Sequence, residues 1–176
     1  MTALKPYIES FLPLAVAINV VGALPIFLAL SAELSPAARR KLTLQATATA
    51  FAIALSILFA GQLIFSLLGI SVHDLRVGGG IVLLVLSISN LLFPDSPRRR
   101  PAQGQSLSEL GVVPLGIPMI MGPAAITAVL VAREAHGYLP TLVSLSLNMG
   151  LVYVVFAAGP WIARFIGPAA SSAAGK

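Results

Sequence analysis

The chain has 176 residues, 57% of them hydrophobic and only 10% charged, with a formal net charge of +5 and a mean hydropathy of +0.95. Soluble domains carry about 25% charged residues, so an ordinary water-soluble core is excluded. Cysteine is absent, which removes disulfides, thiolate metal sites and cysteine nucleophiles from consideration.

The charged residues divide the chain. Windows free of Asp, Glu, Lys and Arg run over 10–32, 42–72 (His73 following), 77–94, 110–132 and 135–163. Each can hold the roughly 20 apolar residues that cross about 30 Å of hydrocarbon. The expected fold class is therefore all-α, a polytopic transmembrane helix bundle of five spans forming a single integral membrane domain over 1–176. The third window is the shortest, and the second is long enough to tilt. The first resembles a secretory signal because Lys5 precedes an apolar run, but Glu9 interrupts the basic region and the run is too long. It is read as a retained span. Eight of the eleven basic residues fall on one side when the spans alternate: Arg39, Arg40, Lys41, Arg98, Arg99, Arg100, Arg164 and Lys176. The positive-inside rule then places the N-terminus outside and the C-terminus in the cytoplasm.

In chain order, the first span (11–30) carries Pro13 near its start, where a missing amide costs little. Asn19, Gly22 and Pro25 fall in its middle third, and Pro25 frees the carbonyl of Val21. An asparagine amide beside a loosened backbone can bind a polar group, although Asn19 can equally bond a neighbouring helix and Gly22 allow close packing. Ser35-Pro36 is a helix-start signal, with Ser35 as cap and Pro36 in the first turn. Arg39, Arg40 and Lys41 then lie at the lipid surface. The second span (44–68) opens with Ala46, Ala48, Ala50, Ala52 and Ala54, which marks it as interior to the bundle. Gln62, beside Gly61, reads as packing glue.

The turn over 69–76 contains His73 and Asp74, too few ligands for a metal. Gly78-Gly79-Gly80 opens the third span but lacks the Lys-Ser/Thr of a phosphate loop. It suits a close helix crossing or an exposed helix N-terminus. Ser87, Ser89 and Asn90 form a polar patch at the far end. The stretch 94–109, rich in Pro, Ser and Gln, is the expected linker between halves. Its Arg triplet reads as topology and lipid contact rather than nucleic-acid binding.

The fourth span is organised around 113–127, V-P-L-G-I-P-M-I-M-G-P-A-A-I-T. Pro114, Gly116, Pro118, Gly122 and Pro123 fall within ten residues. Each proline lacks an amide donor and crowds the carbonyl four residues back, so a continuous helix is not expected. In hydrocarbon such a break survives only where the freed groups are buried or face a wet cavity. Arg133, Glu134 and His136 mark a short outer loop. The fifth span (139–161) contains Asn148 and Gly150, with Tyr153 and Trp161 toward an interface.

Spans one and four are both interrupted near mid-depth, at Gly22 and at Gly122. Two such spans of opposite direction suit an inverted-repeat transporter whose site lies where the breaks meet. Repeat one is placed at about 8–93, a partial repeat two at about 110–163 and a tail at 164–176. The motifs F-L-P-L-A-V-A-I-N-V-V-G-A-L-P-I-F-L, F-A-G-Q-L-I-F-S-L-L-G-I-S, R-V-G-G-G-I-V-L-L and V-V-P-L-G-I-P-M-I-M-G-P-A-A-I-T occur in this order. In these the chain resembles the MarC family of bacterial inner-membrane proteins. The resemblance implies six helices in two three-helix repeats, with the N-terminus outside. It places the chain in a family some of whose members are classed as neutral amino-acid transporters. Two departures stand out. Asn19-Val20 replaces the usual Asn-Pro or Asp-Pro, so a milder first break is expected, and the chain stops near where a sixth span would begin.

The leading expectation is a transporter or exporter of small neutral or zwitterionic solutes such as amino acids, with Asn19, Gly22, Pro25, Gly122, Pro123 and Thr127 around a mid-membrane site. No Asp, Glu, Lys or Arg lies within a span, so proton coupling through an intramembrane ionisable group is not expected. Any coupling would use Na⁺ on backbone carbonyls. The alternative is a non-transporting component that packs with a partner or with itself. An enzyme is not expected, because the carboxylates and histidines are scattered over loops; an outer cluster of His73, Asp74, Glu134 and His136 is the weak exception. No cofactor or metal is expected. The expected partners are the lipid bilayer, a neutral solute and a second copy of the chain, without nucleic acid.

Overall fold

The computed structural model describes residues 4–67, 69, 71, 74, 77, 78, 80, 81, 84, 85, 88, 92 and 111–166. Five helices are numbered here: α1 (Lys5–Ile18), α2 (Val20–Ser31), α3 (Pro36–Leu67), α4 (Pro123–His136) and α5 (Tyr138–Ile166), with an irregular segment Gly111–Ile120 before α4. No strand occurs among the described residues. Three stretches are long and apolar enough to cross a bilayer: Lys5–Ser31, Pro36–Gly61 and Tyr138–Ile162. The protein is thus an all-α membrane bundle.

Of the third expected span, Val77, Gly78, Gly80, Ile81, Leu84, Val85, Ile88 and Leu92 are helical and exposed. Just before it, Ser71 and Asp74 cap each other. The Ser71 amide and hydroxyl donate to Asp74 Oδ2 at 2.9 and 2.6 Å, and the Asp74 amide donates to Ser71 Oγ at 3.2 Å. This reciprocal pair is a helix-start device, so Asp74 shapes backbone as well as meeting solvent. His73, Ser87, Ser89, Asn90, the linker 94–109 and the tail beyond 166 lie outside the described residues.

α3 is the central post. Leu42, Ala46, Ala50, Ala54 and Leu58 recur every fourth residue and are all fully buried, a ridge that lets neighbouring helices approach closely. The alanine run is only half interior, however, because Ala48 and Ala52 point outward. A helix turns 100° per residue, so alternate alanines cannot share one face. Ser35 caps the start of α3 by accepting from the Ala38 amide at 3.3 Å, and Pro36 is the first helical residue. At the other end of the post, Gly61 faces α4 so closely that a Cβ would stand 2.5 Å from Leu130 Cδ2.

α1 is fastened to α5 by side chain to main chain bonds. Ser144 Oγ donates to the Tyr7 carbonyl at 2.9 Å, and Asn148 Nδ2 donates to the Phe11 carbonyl at 3.3 Å and to the Ser144 carbonyl at 2.9 Å. Both donors are buried, where an unpaired amide or hydroxyl would be costly. Their four-residue spacing matches that of the two acceptors, so consecutive helical turns are tied together. α2 packs on α5 through stacked Phe27 and Phe156 rings, 4.3 Å apart. α4 and α5 form a tight hairpin at Gly137, whose φ of 82° is open only to glycine at low cost. Large apolar side chains such as Val16, Val21, Leu63, Leu147 and Val154 are exposed, while Ser10, Thr43, Thr141, Ser144 and Asn148 are buried. That inversion is what a lipid solvent selects.

Candidate functional site

The first interruption rests on one residue. Asn19 separates α1 from α2 with φ 48° and ψ 54°, the left-handed conformation, which asparagine tolerates because its short amide can bond the local backbone. The Asn19 amide N–H still donates to the Ala15 carbonyl at 3.2 Å, closing α1, while Asn19 Oδ1 accepts from the Gly22 amide at 3.2 Å and opens α2. Gly22 is matched to this cap, since a Cβ there would stand 2.5 Å from Asn19 Nδ2. The interruption lies at Asn19 rather than at Pro25, which is exposed within a continuing α2. It is confined to a single residue, as expected of a break without Asn-Pro.

The second interruption is longer and has another cause. Val113 (φ −131°, ψ 122°), Ile117 (φ −132°, ψ 128°) and Gly122 (φ −85°, ψ 178°) are all extended. Each immediately precedes a proline, and the proline ring disfavours the helical region for the residue before it. The Met121 amide reaches back five residues, to the Gly116 carbonyl at 3.1 Å, a wider turn than an α-helix makes. Gly116 sits tightly against α3: a Cβ would lie 3.0 Å from both the Gly111 carbonyl oxygen and Thr49 Cγ2. α4 then starts at Pro123, with Gly122 in the cap position and no side-chain cap. Thr127 Oγ1 donates to the Pro123 carbonyl at 2.9 Å, so its proton is engaged and only its lone pairs remain to accept from a ligand.

The six expected site residues thus form two sets, Asn19, Gly22 and Pro25 at one break and Gly122, Pro123 and Thr127 at the other. Helix packing relates the sets. α1, before the first break, packs on α4, after the second; α2, after the first, packs on the segment before the second. Antiparallel interrupted segments pair in this crossed way when their breaks share a level, as an inverted repeat requires. At such a level the C-terminal carbonyls of α1 and the N-terminal amides of α2 and α4 are polar main-chain groups within an apolar bundle. Among the described residues no group of three His, Cys, Asp or Glu is placed to hold a metal ion.

The profile of the MarC family integral membrane protein matches residues 4–174. The chain belongs to the MarC family. It is similar to a UPF0056 membrane protein of Archaeoglobus fulgidus, 32% identical over 152 residues that cover 85% of this chain and 71% of the relative. It is also similar to the UPF0056 membrane protein YhcE of Escherichia coli K12, 30% identical with coverage of 91% and 78%. The relative from Buchnera aphidicola of Schizaphis graminum is 29% identical, with coverage of 92% and 78%. No solved structure matches the chain significantly. As a MarC protein it is a multi-pass integral membrane protein, and the matched region takes in both interruptions.

Sequence reasoning missed two parts of this arrangement. The Ser144 and Asn148 bonds to α1 were signalled only by two polar residues four apart in an apolar span. The left-handed turn at Asn19 had no proline to announce it.

Proposed function

We propose that this MarC protein is a transporter or exporter of small neutral or zwitterionic solutes such as amino acids, acting in the bacterial inner membrane with its N-terminus outside and its C-terminus in the cytoplasm. The observation that carries the reading is that α2 begins inside a membrane-length apolar stretch and α4 inside the uncharged window 110–132. A helix N-terminus carries a partial positive charge and first-turn amides without intrahelical partners, here those other than the Gly22 amide that Asn19 caps and Pro123, which has none. Two such termini at one level suit a carboxylate, and the C-terminal carbonyls of α1 suit an ammonium group or a sodium ion. A zwitterion is thereby matched by dipoles without a charged side chain. In this reading Asn19 Nδ2 and the Thr127 lone pairs supply orientation, Gly22, Gly122, Pro25 and Pro123 shape the backbone, and the role is non-enzymatic.

The test is a radiolabelled flux screen of neutral amino acids in vesicles containing the purified protein, beside Gly122→Leu. Saturable flux that Gly122→Leu abolishes while the protein stays helical supports the reading. Absence of flux for every solute, with crosslinking to a second copy, favours a non-transporting membrane component instead.

A further inference from the structure

At the end of the bundle where α2 closes and α3 opens, Pro36, Arg39, Arg40, Thr43, Tyr153, Ala157 and Pro160 line a groove of about 380 Å³. α3 and α5 form its long walls. Pro36 and Thr43, like Tyr153 and Pro160, are seven positions apart, so the walls run about 10 Å along the helices at 1.5 Å per residue. Its lining joins two arginines to apolar and aromatic side chains. Arg39 is fixed there, with Nε and Nη2 donating to the Ser31 carbonyl at 3.3 and 2.8 Å. Arg40 is exposed beside it, and among the described residues no carboxylate lies within ion-pair distance of either guanidinium. The lining is completed by Pro36, Thr43, Tyr153, Ala157 and Pro160, none of them charged; Thr43 and Tyr153 lie furthest along their helices from the Pro36 and Pro160 end.

We infer that this groove holds an anionic phospholipid, its phosphate at Arg39 and Arg40 and the first part of one acyl chain lying toward Tyr153. Two features commit the site to this occupant. Guanidinium groups recognise phosphate through their N–H donors; Arg39, whose Nε and Nη2 hold the Ser31 carbonyl, offers Nη1 beside the exposed fork of Arg40, and basic pockets between membrane helices at headgroup level attract anionic lipid. A free phosphate would use the arginine mouth and leave the uncharged lining unfilled, whereas a lipid uses both. A mouth held open by the Arg39–Ser31 bonds would also tie the bound lipid to the end of α2, one half of the first interrupted span.

The chain carries a single tryptophan, Trp161, exposed and next in sequence to the groove residue Pro160. It is a built-in reporter. In phosphatidylcholine vesicles, quenching of Trp161 by brominated phosphatidylglycerol is compared with quenching by brominated phosphatidylcholine. The native protein is expected to favour the anionic lipid about fivefold, as one basic side chain near the surface contributes. Arg40→Gln, which removes an exposed charge, and Ala157→Leu, which fills the groove, should each bring the ratio close to one. Lys41→Gln, adjacent in sequence but outside the groove, should leave it unchanged. Equal quenching by the two lipids in the native protein would overturn the proposal. So would a fall with Lys41→Gln as large as that with Arg40→Gln, which marks diffuse surface charge. An unaltered ratio in Ala157→Leu, or reversal of the preference by millimolar inorganic phosphate, would also overturn it by assigning the mouth to a free anion.

Discussion

The two interruptions reach a similar result by different physical means. At the first, a side chain carries the break: Asn19 adopts a left-handed backbone and caps the helix that follows, with Gly22 leaving room for the amide. At the second, the backbone itself is barred from winding, because Val113, Ile117 and Gly122 each precede a proline. The proline break does not depend on any one hydrogen bond. The asparagine break depends on one, from the Gly22 amide to Asn19 Oδ1. The first is therefore the adjustable half of the pair and the second the rigid half.

The largest effect is expected from converting the rigid half. Pro114→Ala with Pro118→Ala removes the cause of the extended Val113 and Ile117 and restores two amides, so helicity by circular dichroism should rise while the proposed solute flux falls to background. Unchanged helicity would mean that packing against α3, rather than proline, holds the segment open. Next comes Gly116→Leu, which forces a side chain into the space held by Thr49 and the Gly111 carbonyl. Overpacking of this kind costs about 3 kcal/mol at the upper end of its range, read as a lower unfolding midpoint in detergent.

For the adjustable half, Asn19→Ala should lose about 1 kcal/mol for the cap and about 1 kcal/mol for the left-handed backbone. Asn19→Gly should lose only a few tenths, because glycine keeps the conformation and is a tolerable cap. Equal losses in chemical-denaturant unfolding would show that the turn is imposed by packing and that Asn19 is present for another reason. The smallest effect is expected at Thr127→Val. Its hydroxyl bonds only to its own helix, so stability should change by less than about 1 kcal/mol. A rise in solute KM without that stability change would assign its lone pairs to the ligand.

How much of this could be read beforehand follows the same division. Pro114, Pro118 and Pro123 announce the second break, because three prolines within ten residues each remove an amide and disfavour winding at the residue before. Pro25 was a less faithful guide. One lost amide bond is tolerated where the surrounding bundle supports the helix, and α2 runs through it. Asn19 stood out as polar, but the left-handed turn is a minority state for asparagine and was not legible. The Ser144 and Asn148 bonds were hidden because their acceptors are main-chain atoms 137 residues away, and no side-chain pattern marks a carbonyl. The exposed Ala48 and Ala52 follow from helical geometry alone and correct a reading based on composition.

The proposed transport requires both breaks to open onto one wet chamber, and this can be tested directly because the chain has no native cysteine. Single substitutions Pro25→Cys, in the helix that opens at the first break, and Thr127→Cys, in the helix that opens at the second, report on the two, and Leu147→Cys, an outward-facing position on α5, reports on lipid. With a membrane-impermeant thiol reagent, the first two variants are expected to react well above the Leu147→Cys rate, and a transported amino acid should slow both together. Reaction of both at the Leu147→Cys rate, or protection of one without the other, would contradict a shared site.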